Sequence, residues 1–323
     1  MPTRASLILV GSSLAGAARA QKALILSDAR VSPAAQEIAF SAATGSGFSV
    51  YEQALLAEGK AVRISQEVAG FDCFAPAHSP DGQYLLYLKQ PRATTKKSNY
   101  ADVVLYDRQR RSSQQLTTGQ QNIRQALFSA DGTRIVYIAA GFFGSYSPVG
   151  PKAAHELDLH SMALDGSSRV QHTHLKAYLL GNLALLQAPN TYLLNINDPR
   201  QKLSGTYVYS FADSTSFKLV KDKIADEHQL SYLPNLTTSS RKTVVYSIGD
   251  ELFVKSMRTG SSENVYTGPM RANPHPMDFV GTQNAIIFSE TLRDSLQATS
   301  GVFRISLLNL DDLKVVPIPI RLD

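Results

Sequence analysis

Histidine is the side chain best suited to hold a metal or move a proton near neutral pH, and the spacing of the histidines in this chain decides what each could do. His155 and His160 enclose Glu156-Leu157-Asp158-Leu159, one residue longer than the His-Glu-x-x-His motif of zinc peptidases. The segment reads as a strand, in which positions five apart face opposite sides, so these two imidazoles cannot share an ion. His172 and His174 do fall on one face, but in an outer strand or loop. His78, just before Ser79-Pro80-Asp81-Gly82, and His275, within Asn273-Pro274-His275-Pro276, are better placed to meet a ligand. No Gly-x-Ser-x-Gly elbow follows the leader, and there is no phosphate-cradling or dinucleotide glycine loop. Cys73 is the only cysteine, so no internal disulfide forms, and nothing near it would lower its pKa. The sequence assigns no catalytic residue, no metal site and no cofactor.

Repeated elements must position these side chains. Ser79-Pro80-Asp81-Gly82 is a tight turn followed by the apolar run Gln83 to Leu88, and Ser129-Ala130-Asp131-Gly132 precedes Thr133 to Ile138 in the same order. Proline presets φ, aspartate bonds nearby amides and glycine takes a positive φ without steric cost. Runs of four to six β-branched and aromatic residues are strands, too short for helices. With the ring that ends such a strand as anchor, the ladder reads Phe40, Tyr87, Tyr137, Asn195, Tyr246 and Phe288. A second ladder of an aliphatic residue followed by a ring runs through Tyr51, Tyr106, His160, Tyr209, Phe253 and Phe303. Six units of roughly 50 residues with about four strands each predict an all-β, six-bladed β-propeller of four-stranded antiparallel blades. The expected blades lie near 22–68, 69–119, 120–174, 175–223, 224–268 and 269–323. Pro317 and Pro319 suit an edge strand, and Lys22 to Leu26 is read either as the innermost strand of blade one or as a strand that completes the last blade.

The turn-strand-ring repeats Ser79 to Tyr87 and Ser129 to Tyr137, with Leu159 to Gly166 after them, resemble the TolB-like six-bladed propeller repeat, a relative of the WD-repeat propellers. The resemblance implies a periplasmic or secreted propeller that binds other proteins or peptides, frequently without catalysis. Ligands of such a fold bind at the channel mouth, on the inner-strand ends and their loops. Counting back twelve or thirteen residues from each anchor gives Asp28, Phe74, Arg124, Asn182, Leu233 and His275. Arg124 and His275 could meet an anionic group, and Phe74 with Tyr232 could supply aromatic contact. The expected binding set is therefore Asp28, Phe74, His78, Arg124, Asn182, Tyr232 and His275. Two stretches, Gln90 to Tyr100 with Lys96 and Lys97, and Phe142 to Pro151 with Phe143 and Tyr146, exceed what hairpins require, which is a hint of function.

Composition narrows the class further. With 323 residues, 43% hydrophobic and 18% charged, the chain is globular and long enough for a large core. Arg4, the apolar Leu7 to Val10 and Leu14 to Ala18, and Ala18-Arg19-Ala20 form an expected signal peptide over residues 1–20, cleaved before Gln21. No other run approaches a transmembrane helix. The formal charge of +5 falls to +3 without Arg4 and Arg19, and no dense basic stripe remains for nucleic acid. The expectation is an exported, periplasmic or secreted monomer that acts as a non-catalytic scaffold in the bacterial cell envelope, with an envelope protein or peptide as partner. The alternative is a metal-assisted lyase or hydrolase acting on an acidic oligosaccharide in the channel through His78, His275 and Arg124.

Overall fold

A computed structural model describes residues 25–44, 47–56, 59–92, 100–119, 122–145, 152–185, 190–198, 200–211, 220–221, 236–238, 243–256, 259, 261–280, 283–292 and 302–322. The expected leader lies outside them. The chain forms six four-stranded antiparallel sheets, each built from consecutive strands and ordered from the axis outward. Blade one contains β1 (Ile25–Val31), β2 (Glu37–Thr44), β3 (Gly47–Ala54) and β4 (Val62–Arg63). Blade two contains β5 (Phe71–His78), β6 (Tyr84–Pro91), β7 (Asp102–Asp107) and β8 (Ser112–Gln115). Blade three contains β9 (Asn122–Phe128), β10 (Arg134–Gly144), β11 (Ala153–Ala163) and β12 (Val170–Gln171). Blade four is β13 (Leu179–Leu185), β14 (Thr191–Asp198), β15 (Leu203–Ser210) and β16 (Val220–Lys221), and blade five is β17 (Leu236–Thr238), β18 (Thr243–Ile248), β19 (Glu251–Ser256) and β20 (Ser262–Thr267). Blade six ends the chain with β21 (His275–Phe279), β22 (Ala285–Leu292), β23 (Val302–Asn309) and β24 (Val315–Ile318). Among the described residues no helix is long and apolar enough to cross a membrane.

The turn chemistry works as the residue types dictate. Ser79 Oγ donates to Asp81 Oδ1 at 2.6 Å and accepts from the Tyr84 amide at 2.9 Å, while the Gly82 amide closes the turn on the Ser79 carbonyl at 2.9 Å. Ser129, Asp131, Gly132 and Arg134 repeat every one of these bonds. Ala35 and Gln283 close the same turn onto Ser32 and Val280 at 2.8 and 2.9 Å in blades one and six. Gly82 and Gly132 carry φ of 71° and 69°, a conformation that costs glycine little and that Ala35 and Asn190 adopt at 55°. Each anchor stands five residues beyond this position, so Asn195 occupies in blade four the place of Phe40, Tyr87 and Tyr137. Phe40 and Phe288 hold the same place in their strands, and both are fully buried. Each such ring contributes about 2–3 kcal/mol through the apolar surface it removes from water.

The second ladder is in register in only three blades. Tyr51, His160 and Phe253 lie opposite Phe40, Tyr137 and Tyr246 and stack on them with centroids 6.0, 5.4 and 5.4 Å apart. Tyr106 instead pairs with Leu85, Tyr209 with Tyr192 and Phe303 with Thr291. Hairpin length sets register, and the connections between second and third strands differ from blade to blade.

One repeat eluded the sequence reading. In blade two Thr117 Oγ1 donates to Asp102 Oδ1 at 2.9 Å and accepts from the Val103 amide at 2.9 Å, while Gln115 Nε2 reaches Asp102 Oδ2 at 3.0 Å. Blade three repeats this with Thr173, Asp158, the Leu159 amide and Gln171. Blade one substitutes Ser49, Arg63 and Ser65 in a weaker version. Each set ties the outer edge of a blade to its third strand, and each aspartate also receives amides of the segment leading into the next blade.

The ring closes by packing. Inner strands neighbour one another in the cycle β1, β5, β9, β13, β17, β21 and back to β1. Blades one and six share a core that includes Leu26, Val31, Phe40, Met277, Ile287 and Ile318. Beyond β24 the chain runs onto blade one, where the Arg321 carbonyl accepts from Ala61 N at 2.9 Å and the Pro319 carbonyl from Gln53 Nε2 at 2.7 Å. Leu26 thus belongs to the innermost strand of blade one, and Pro317 lies in an edge strand, where a missing amide costs no ladder bond.

Candidate functional site

Six inner strands surround the axis, and most of them are interrupted at one level. A β-bulge, one extra residue on the inner strand, falls at Asp28-Ala29, Ala75-Pro76, Arg124, Asn182-Leu183 and Met277. Each lies within two residues of the position opposite its blade's anchor. Asp28, Ala75 and Asn182 take positive φ of 50°, 54° and 53°. Bulges re-aim side chains and are frequent beside functional sites, so this ring of bulges is a built feature of the channel wall.

The side chains that the bulges present differ in chemistry. Asp28 and Arg124 are exposed and Asn182 is half-buried, whereas Phe74, paired just before the blade-two bulge, packs half-buried against the core between blades two and three. His275 opens blade six beside Asp28, and partial burial lowers its pKa more than the Asp28 carboxylate raises it, with Arg30 adding to the lowering. Arg30 Nη1 donates to the Met277 carbonyl, and Asp278 Oδ2 accepts from the Val31 amide at 2.8 Å, which locks blade six to blade one beneath these groups. Burial raises the Asp278 pKa despite the neighbouring Arg30. Across the ring, Gln125 acts as a side-chain peptide group. Its Nε2 donates to the Leu183 carbonyl and its Oε1 accepts from the Leu183 amide, both at 2.9 Å. Replacing Gln125 by Ala strands both backbone groups, and a loss of about 2 kcal/mol in denaturant unfolding is expected.

His78 stands apart from this set. Its side chain is 2% exposed and turned toward blade one, with Nδ1 3.9 Å from Glu52 Oε1. Arg108 sits on the same carboxylate at 3.1 Å and on Glu37 at 3.4 Å. Burial, and then the Arg108 charge, lower the His78 pKa to about 3. Neither His78 nor His275 gains the company a metal needs: each has an arginine beside it, and no group of three His, Cys, Asp or Glu side chains converges among the described residues. His155 and His160 pack separately, on Phe142 and Tyr178 and on Tyr137. His172 stacks on Phe211 at 3.9 Å and meets Ser161 Oγ at 2.8 Å, so it serves packing. Cys73 is buried, and burial pushes its thiol pKa up. Tyr232, Leu233, Lys96 and Lys97 lie outside the described residues.

No protein-family profile and no curated protein matches the sequence. Solved structures do match the fold. TolB from Acinetobacter baumannii superposes with a TM-score of 0.59 at 13% identity, over 92% of this chain and 63% of that one. An oligogalacturonate lyase in complex with manganese gives a TM-score of 0.52 at 13% identity, over 88% of this chain and 74% of that one. A nidogen/laminin complex gives 0.53 at 7% identity, covering 91% of each chain. The chain spans less than two thirds of that TolB's length. At such identities the likeness is one of fold, and the chain has the six-bladed, four-stranded propeller architecture that TolB also has.

Proposed function

We propose that the chain is an exported, non-catalytic binding module of the bacterial cell envelope that holds a protein or peptide at the mouth of its channel. The observation that supports this reading is the ring of bulges on the inner strands, at or beside which Asp28, Arg124, Asn182, Phe74 and His275 stand in the chain. Such a mixed set suits recognition of a polypeptide, whose surface offers donors, acceptors and apolar groups together. The likeness in fold to TolB and the expected leader support export to the envelope.

Capture of partners from an envelope extract tests the reading. Residues 21 onward are expected to retain a specific partner, and the Arg124→Ala, His275→Ala double variant to lose it at least tenfold, because both side chains are exposed and neither carries the fold. Equal retention by both proteins would remove the channel mouth from recognition. The second reading, a lyase or hydrolase of acidic oligosaccharides, is favoured by the fold likeness to the manganese-bound lyase. It predicts bound divalent metal in untagged protein and cleavage of an acidic oligosaccharide.

A further inference from the structure

Past β24 the chain does not turn back on its own blade. Residues 319–322 cross the seam and lie as a strap along the outer edge of blade one, where the fourth strand, β4, is only two residues long. The Ala61 amide, just ahead of β4, donates to the Arg321 carbonyl at 2.9 Å, and Gln53 Nε2 from β3 donates to the Pro319 carbonyl at 2.7 Å. Ile320 and Leu322 pack half-buried against the core that Tyr51, Leu55 and Ala61 share with blade six. Carbonyls two apart meeting one neighbour, with the side chains between them meeting another, is the alternation of an extended strand. Leu56 and Val62, the chain neighbours of Leu55 and Ala61, are 56% and 64% exposed, so this edge keeps apolar surface in water.

The strap fits this groove with one defect. An extended residue shows its N–H and its C=O to the same side, so a carboxamide can engage both at once. Gln125 does so with Leu183, at 2.9 Å in each direction. Gln53 meets Pro319 from the carbonyl side in the same way, but proline has no N–H to give. Gln53, 5% exposed, is left with its Oε1 buried and without a donor. Any residue other than proline would bring one. We propose that residues 319–322 are a displaceable strap over a strand-docking groove, and that the groove receives an extended segment of a partner protein with the strap's Ile-x-Leu spacing and an ordinary amide in place of Pro319. Adding a strand to an incompletely filled sheet edge is a recurring mode of peptide recognition. A second copy of the chain is a poorer occupant, because its strap carries the same proline and competes with one already tethered at high effective concentration. The groove lies on the outer edge of blade one, away from the inner-strand bulges, so it adds a second contact surface to the channel mouth and does not depend on it.

Fluorescence anisotropy of the full chain tests the proposal. The probe is a labelled peptide of residues 316–322 carrying Pro319→Ala, set against the same peptide with the native proline. The chain with Ile320→Asp and Leu322→Asp, which frees the strap, is expected to bind the probe about tenfold more tightly than the parent, whose groove is filled. It is also expected to prefer the alanine probe to the proline peptide by about tenfold, the effect of one buried acceptor gaining its donor. With Gln53→Leu added, that preference is expected to vanish. The Pro319→Ala chain, whose own strap supplies the missing donor, is expected to bind the probe more weakly than the parent, and this comparison stands even where the double aspartate variant fails to fold. No saturable binding to the freed chain, equal binding by the freed and parent chains, or a preference that survives Gln53→Leu would overturn the proposal. Undiminished binding by the Pro319→Ala chain would do the same.

Discussion

Replacing Asp158 by Ala is expected to cost about 3–5 kcal/mol of folding stability, the largest effect of any polar substitution proposed for this chain. The carboxylate is 4% exposed and accepts from Thr173 Oγ1 at 2.7 Å, from the Leu175 amide at 2.6 Å, from the Lys176 amide, and from Gln171 Nε2 at 3.3 Å. Burial raises its pKa even though the Thr173, Leu175 and Lys176 bonds pull the other way, so the site tolerates the charge only because it is so fully bonded. Truncation leaves several buried donors without an acceptor, each worth roughly 1–3 kcal/mol. It also frees the lead-in to blade four, which carries Ala177 and Tyr178. Asp102→Ala is expected to behave alike in blade two, and Ser49→Ala, with a neutral hydroxyl in the equivalent place, to cost about 1 kcal/mol. Urea unfolding ranks the three. A cost below 1 kcal/mol for Asp158→Ala would show that the repeated Asp-Gln-Thr set is ornamental.

His78→Leu is expected to change little at pH 8 and to become progressively more stable than the parent as the solution is acidified. The native ring is held at about 3, first by burial and then by Arg108, whereas the unfolded chain takes up its proton near 6.5. A depressed native pKa means that the neutral ring's contribution is complete above pH ~6.5 and is lost as pH falls from there toward 3. The leucine variant has no proton to take up. The difference between the two chains therefore grows by about 1.4 kcal/mol per pH unit below 6.5, reaching about 3 kcal/mol at pH 4.5. His160 and His172, both lowered to about 4 by burial, add protons of the same sign in the parent. Glu52 and Asp278, raised by burial, act in the opposite sense, which is why the comparison is drawn against a single-site variant. Parallel stability curves for the two chains across pH 8 to 4.5 would contradict the burial of His78 as a neutral ring.

The fold was legible because its signals are local. Ser79 to Gly82 and Ser129 to Gly132 encode a turn through bonds that span five residues, and an aromatic five positions later marks the strand. Even the drifted copy in blade four keeps this arithmetic, with Asn190 and Asn195. The Asp-Gln-Thr lock was missed although Asp102 and Asp158 stand at identical spacings from their partners, because each residue type is common and only the pairing of third and fourth strands gives the spacing meaning. Asp28, Arg124 and Asn182, reached by counting back from the anchors, fall at the inner-strand bulges. His78, singled out because it precedes the Ser79 turn on an inner strand, is buried beside Glu52 of blade one, a packing across two blades that no local pattern announces. The stack of His155 on Tyr178 likewise joins two blades, beside the bridge of Leu157 to Ala177, a contact that no local pattern announces.

Amide hydrogen exchange of the chain alone and with its captured envelope partner tests the central claim, that recognition takes place at the channel mouth. The account predicts new protection in Phe71–Phe74, Asn122–Gln125, Tyr178–Asn182 and Asn273–His275, the segments that bring the inner strands to the axis. Protection confined to the outermost strands β8, β12 and β20, or to the Ser79 and Ser129 turns, would contradict it.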